Sequence, residues 1–116
     1  MSEREAFVRE FHARNPGITA EAFGRAGSYA RLAAVVRSAS RVPDARILDL
    51  ACGDGALLAH LGPAAAGIDL SREELVAARA RVGARVVLVQ GRAQQLPFAD
   101  ASFDACACHL AFMLFD

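Results

Sequence analysis

Apolar positions along this chain fall into two textures. Over roughly the first forty residues they recur every three or four positions, as on one face of a helix. Phe7, Val8 and Phe11 stand at that spacing among charged neighbours and predict a short amphipathic helix over residues 3–14, ended by "NPG". A second helix is expected from near Thr19 to about Ser38, with a break at Gly24 or Gly27. Its later part puts Leu32, Val35, Val36 and Ala39 on one stripe. "RVPD" then stops it, because proline lacks an N–H and its ring clashes with the preceding turn.

From residue 45 onward, short apolar runs alternate with helical patterns. Arg46–Leu50 ("RILDL") is the first predicted strand, and Ala56–Leu61 reads as helix stopped by Gly62 and Pro63. Ala65–Leu70 ("AAGIDL") is the second strand. Ser71, with Glu74 three residues on, forms a capping-box pattern that opens a helix closed by Gly83. Arg85–Val89 ("RVVLV") is a third strand, and its unbroken apolar run predicts burial on both faces. "GRAQQLPFADAS" reads as loop, Phe103–Cys108 as a fourth strand, and the "AFMLF" run after it as core. Strands alternating with helices imply right-handed crossovers and a parallel sheet, the signature of an α/β fold. Ligands of such sheets bind beyond the carboxyl ends of the strands.

Composition narrows the function classes. The chain has 116 residues, enough for one domain, and 54% hydrophobic content suits a packed core. Thirteen basic and thirteen acidic residues cancel, so no overall field favours nucleic acid or an anionic membrane. The basic residues are all arginine and sit mostly at helical spacing among acids, as on a solvated face. The charged N-terminus lacks the apolar core of a secretory signal, and no apolar run approaches the ~18 residues that span a bilayer. Cys52, Cys106 and Cys108 lack metal-ligand spacing and lie among apolar residues. They predict buried thiols, no metal site and a reducing, cytoplasmic setting. His12 and His60 read as structural or exposed helix residues.

The chemistry concentrates where the first predicted strand ends. There the chain runs Asp49-Leu50-Ala51-Cys52-Gly53-Asp54-Gly55, a side-chain-poor bend flanked by acids. Glycine tolerates positive φ and lets a ligand approach backbone amides. The second strand ends in Asp69, whose carboxylate can accept two hydrogen bonds from a ribose diol. A dinucleotide fingerprint would need a small residue where Leu58 stands, and Asp49 would repel a pyrophosphate. Both departures disfavour a nucleotide-dependent oxidoreductase. An adenosine-type cofactor that is cationic and lacks phosphates fits instead, and S-adenosylmethionine has that chemistry. Taken singly, Asp49 reads equally as a turn residue and Asp69 as the residue before a helix cap.

"ILDLACGDGALLAHL", "GIDLS" and "LPFADASFDACAC" resemble, in order and separation, the successive motifs of class I S-adenosylmethionine-dependent methyltransferases. The nearest likeness is to the small-molecule branch that includes the ubiquinone and menaquinone biosynthesis enzymes. The resemblance covers residues 45–116 and implies a Rossmann-like sheet of order 3-2-1-4 with helices on both faces. Residues 1–42 would then be an N-terminal helical cap and residues 43–116 the cofactor-binding half of the domain. It also implies site roles. Asp49, Ala51, Cys52, Gly53 and Gly55 match the turn that holds the methionine end of the cofactor. Asp69 matches the ribose acid, with Leu70 beside the adenine. Arg92 and Ala93 stand at the adenine edge, and Leu96, Pro97 and Phe98 in a loop shaping that side. Cys108 and His109 match the segment facing the methionine amine and the methyl group.

Two positions depart from the family pattern. Ala51 replaces the usual first glycine, which is tolerable if its φ is negative. Arg92 replaces an acid that accepts the adenine amino group, and an arginine has no acceptor to offer. His109 is the one candidate general base, against a reading as a polar residue satisfied by local backbone. Tyr29 is placed either over the cofactor or in packing. The family sheet has seven strands and this sequence reaches the fourth. The expectation is therefore a truncated domain, completed by a C-terminal half or by a partner chain at the fourth-strand edge. A small-molecule methyl acceptor is implied, without nucleic acid or a membrane span. The competing reading is a non-catalytic remnant that binds cofactor or a partner chain through its open edge.

Overall fold

The computed structural model describes residues 2–18 and 27–109. Helix α1 (Glu3–Arg14) begins at Ser2 in a complete capping box: Ser2 Oγ accepts from the Glu5 N–H, and Glu5 Oε2 accepts from the Ser2 N–H at 2.9 Å. Helix α2 (Ser28–Ser40) follows. The predicted start at Thr19 and the Gly24 break lie outside the described residues. Strands β1 (Ile47–Leu50), β2 (Ala66–Asp69) and β4 (Ala105–Cys108) sit within the predicted runs, β3 (Val87–Gln90) starts two residues later and ends one residue later than its run, and helix α3 (Arg72–Val82) joins β2 to β3. They form one parallel sheet of order β3-β2-β1-β4, the architecture implied by the resemblance.

Alternation along β1 divides the core. Ile47 belongs to one cluster with Ala33, Leu57, Leu58, Leu61 and Val86, beneath α2 and α3. Leu48 belongs to another with Ala66 and Ile68, on the opposite face, packed by Leu50, Val89, Phe98 and Phe103. Phe98 and Phe103 meet edge to face with centroids 5.0 Å apart, so among the described residues this second face is covered by the loop before β4. No helix of the described residues is long and apolar enough to cross a membrane.

The structure corrects four local expectations. Residues 56–61 form turns and a short 3₁₀ segment (Leu58–His60) in place of an α-helix. The stretch is confined between Gly55 and Gly62, both at positive φ, and the His60 and Leu61 N–H groups reach back only three residues. β3 is an edge strand of the described sheet with Val87 half exposed, not a strand buried on both faces; among the described residues β2 alone lies beside it. Cys106 is exposed, Cys108 only partly covered, and Cys52 alone of the three thiols is buried. Finally, the Ser71–Glu74 capping box is half made. Ser71 Oγ accepts from the Glu74 N–H, but the Ser71 N–H donates to Asp69 and the Glu74 carboxylate turns toward the N-terminal segment.

Candidate functional site

The carboxyl ends of β1 and β2 open into a cleft roofed by α1 and the segment after it. Asp49, Ala51, Cys52, Gly53, Asp69, Leu70, Arg92, Ala93 and His109, all predicted from the sequence, line it. Gly55 and Cys108 do not. A Cβ on Gly55 would approach Ala78 Cα to 3.3 Å, so this glycine lets α3 close on the turn rather than facing the cleft. Cys108 pairs with Leu50 along the β1–β4 ladder. Leu96, Pro97 and Phe98 also lie off the cleft lining, Phe98 being used in the core.

Asp49 lies in register between Gly67 and Ala107, neighbours small enough to leave its carboxylate room inside the sheet. It is 2% exposed, and its Oδ2 has no hydrogen-bond partner. Burial, aided by the nearby charge of Asp69, pushes its pKa up to about 7. A buried, unpartnered acceptor lining a cleft is costly in the free protein and suits a ligand that brings donors or positive charge.

Asp69 links the two strand tips. Its Oδ2 accepts from the Gly53 N–H and its Oδ1 from the Ser71 N–H, each at 2.9 Å. Burial raises its pKa, while those two N–H groups pull the other way. The Cys52 N–H donates to the Ile68 carbonyl at 3.0 Å, so the bend after β1 is tied to β2 by backbone and side chain together. Gly53 has φ +56, and a Cβ there would come within 2.9 Å of Glu74 Oε2. Ala51 also has φ +56, so the negative angle under which its methyl group would be tolerated without strain is not met. This is the left-handed region that costs a side-chain-bearing residue about 1 kcal/mol or more. Burial also raises the Cys52 thiol's pKa, which keeps it protonated and unreactive.

Several cleft residues escaped sequence reasoning. Glu5, Val8 and His12 arrive on α1, and Gly17 just after it. His12, read as an ordinary helix residue, has Nδ1 3.9 Å from Glu74 Oε1, and that carboxylate raises its pKa. The same oxygen accepts the Gly17 N–H at 2.7 Å. Glu5 pairs with Arg92, Nε to Oε1 at 2.9 Å. The Ser2-x-x-Glu5 spacing shows a helix cap, but nothing local shows the carboxylate's long-range partner. At the other end, His109 packs edge to face on Tyr29 with centroids 5.5 Å apart, and burial lowers its pKa, so it is neutral at pH 7.

This arrangement can hold a cationic adenosyl group. Paired carboxylates attract positive charge, the Asp69 oxygens retain acceptor capacity for a diol, and Leu70 and Ala93 offer apolar surface to a base.

Comparisons with known proteins agree. Residues 47–116 match the family model described as a methyltransferase domain. The chain is 38% identical over 109 residues to malonyl-[acyl-carrier protein] O-methyltransferase of Erwinia billingiae (strain Eb661), covering 84% of this chain and 43% of that protein. Among solved structures it resembles the S-adenosylmethionine-bound amino pentose methyltransferase CalS10 of Micromonospora echinaspora. There the TM-score is 0.58 and the identity 28%, over 89% of this chain and 41% of the other. YjhP from E. coli superposes with TM-score 0.62 and 29% identity, over 78% and 39% of the two chains. The chain thus spans less than half the length of these relatives. With the parallel sheet and the acid-flanked bend, these matches establish that the chain belongs to the class I S-adenosylmethionine-dependent methyltransferase family, whose cofactor is S-adenosylmethionine.

Proposed function

We propose that this chain carries the cofactor-binding half of an enzyme that transfers a methyl group from S-adenosylmethionine to a small-molecule acceptor. Residues 1–42 act as a cap and residues 43–116 as the cofactor platform. The observation that carries the reading is the buried, unpartnered Oδ2 of Asp49 beside Asp69 at the tips of adjacent strands. Asp49 receives the cationic methionine end, Ala51, Cys52 and Gly53 lie under it, and the Asp69 carboxylate takes the ribose hydroxyls. Leu70 and Ala93 flank the adenine.

The cofactor supplies a methyl group already activated on a sulfonium, so this chain's contribution is alignment and exclusion of water. Neutral His109, at the β4 end of the cleft, is the residue placed to accept a proton from an acceptor, or to position it. The test is calorimetric titration with S-adenosylhomocysteine and, separately, with NAD. Saturable binding of the first and none of the second is expected. Tight NAD binding with no response to S-adenosylhomocysteine would overturn the reading.

A further inference from the structure

We propose that Glu5, carried on α1 and held by Arg92, accepts the 6-amino group of the cofactor's adenine, so that the N-terminal helix supplies the base-recognition group of the site. This rests on the cofactor reading above and deepens it.

The strand order gives the cleft a direction. Asp49 and His109 mark the β1–β4 end, Asp69 the middle, and the turn after β3 the far end. That turn is fixed beside the ribose acid, because the Gly91 N–H donates to the Asp69 carbonyl at 3.0 Å. A nucleoside with its ribose on Asp69 and its cation toward Asp49 therefore carries its base over Leu70 and residues 91–93.

An adenine edge there needs an acceptor for its exocyclic amine. Arg92, the side chain on the turn, offers only donors. The carboxylate that reaches this end comes from Glu5, 87 positions away in sequence. Its side chain is 4% exposed, lines the cleft, and is fixed at both oxygens: Arg92 Nε donates to Oε1 and the Ser2 N–H to Oε2, each at 2.9 Å. These two donors hold the group ionised, lowering its pKa. A carboxylate offers about four lone-pair sites, so each oxygen keeps acceptor capacity. Hypoxanthine presents a carbonyl oxygen where adenine presents the amine, and a fixed carboxylate repels it. Arg92 is then a positioning residue, which removes the conflict posed by a donor-only side chain at the adenine edge.

The test compares binding of S-adenosylhomocysteine and S-inosylhomocysteine by calorimetry in the unaltered chain, Glu5→Gln and Ser2→Ala. The unaltered chain is expected to prefer the adenosyl compound by about tenfold or more. Glu5→Gln, which offers both a donor and an acceptor, loses most of that preference. Ser2→Ala, which weakens the helix cap but keeps the carboxylate, retains it. An undiminished preference in Glu5→Gln overturns this proposal alone. So does an equal loss in Ser2→Ala, since it would assign the preference to the helix rather than to its acid. Failure of the unaltered chain to bind either compound overturns the cofactor reading as well.

Discussion

Asp49 is the residue whose cost and use are most clearly opposed. In the unfolded chain its carboxyl ionises near 3.8, and in the folded protein near 7. Between those values the native state binds the extra proton, so stability falls as pH rises from about 4 to 7 and stays reduced above that. Asp49→Asn is therefore expected to stabilise the ligand-free protein by about 1–3 kcal/mol at pH 8 and to change it little at pH 4, as read from urea unfolding. The same variant loses the charge proposed to meet the ligand's ammonium group, and its affinity for S-adenosylhomocysteine should fall at least about tenfold. An Asp49→Asn protein that binds as tightly as the parent would remove Asp49 from the site. Ala51 carries a different cost. With φ +56, its methyl group sits in a conformation that glycine adopts without strain. Ala51→Gly should add about 1 kcal/mol and raise the melting temperature by about 3–6 °C. No rise in a thermal scan would show that the local strain is relieved elsewhere.

At the scale of elements, β2 can lie against the bend after β1 only because its centre is bare. A Cβ on Gly67 would come within 2.7 Å of Leu58 Cδ2 and 2.8 Å of Cys52 Sγ, both buried in the core beneath the helices. Gly67→Ala should cost about 1–3 kcal/mol by overpacking, measured by chemical denaturation, and should loosen the bend that carries Gly53. Arg81 ties α3 to the same bend through Asp54, Nη2 to Oδ2 at 2.8 Å. The strands and α3 were legible because each carries a local signal: an apolar run with a breaker after it, or a serine cap. The short 3₁₀ segment was not, since six residues between two glycines have the composition of a helix but not the length to sustain one. The half-made capping box was equally hidden. Glu74 has the right spacing, yet a carboxylate wanted by Gly17 and His12 cannot also turn back to Ser71.

Over the whole molecule, α1 packs against α3 and is held to the sheet's ligand end by two charged contacts, Glu5 with Arg92 and His12 with Glu74. The second is pH-sensitive. Glu74 raises the pKa of His12, so the folded state favours the charged imidazole. Its contribution is complete below the unfolded value of 6.5 and is lost as pH rises through the higher folded value. Protection of α1 amides in hydrogen exchange, corrected for intrinsic rates, should drop between pH 6 and pH 8.5. The drop should be smaller in His12→Gln, and equal drops in the two proteins would refute the tie. Asp49 and His12 act in the same direction, both favouring the ligand-free fold at lower pH. His109, whose pKa is lowered, acts in the opposite one.

The sequence by itself determined the parallel α/β sheet, because hydrophobic period and turn residues are local properties that survive without knowledge of neighbours. It also determined the acids at Asp49 and Asp69, since their positions at the ends of two apolar runs follow from the same pattern. Only the tertiary structure decided that Asp49 is buried with its Oδ2 unpartnered, that Ala51 is left-handed, and that Gly55 serves packing. It alone brought Glu5 and His12 from a charged helix into the cleft. An amphipathic helix specifies that one face is wet and not what that face meets. Which acid pairs with Arg92 is a question of distance in space, and separation along the chain carries no information about it.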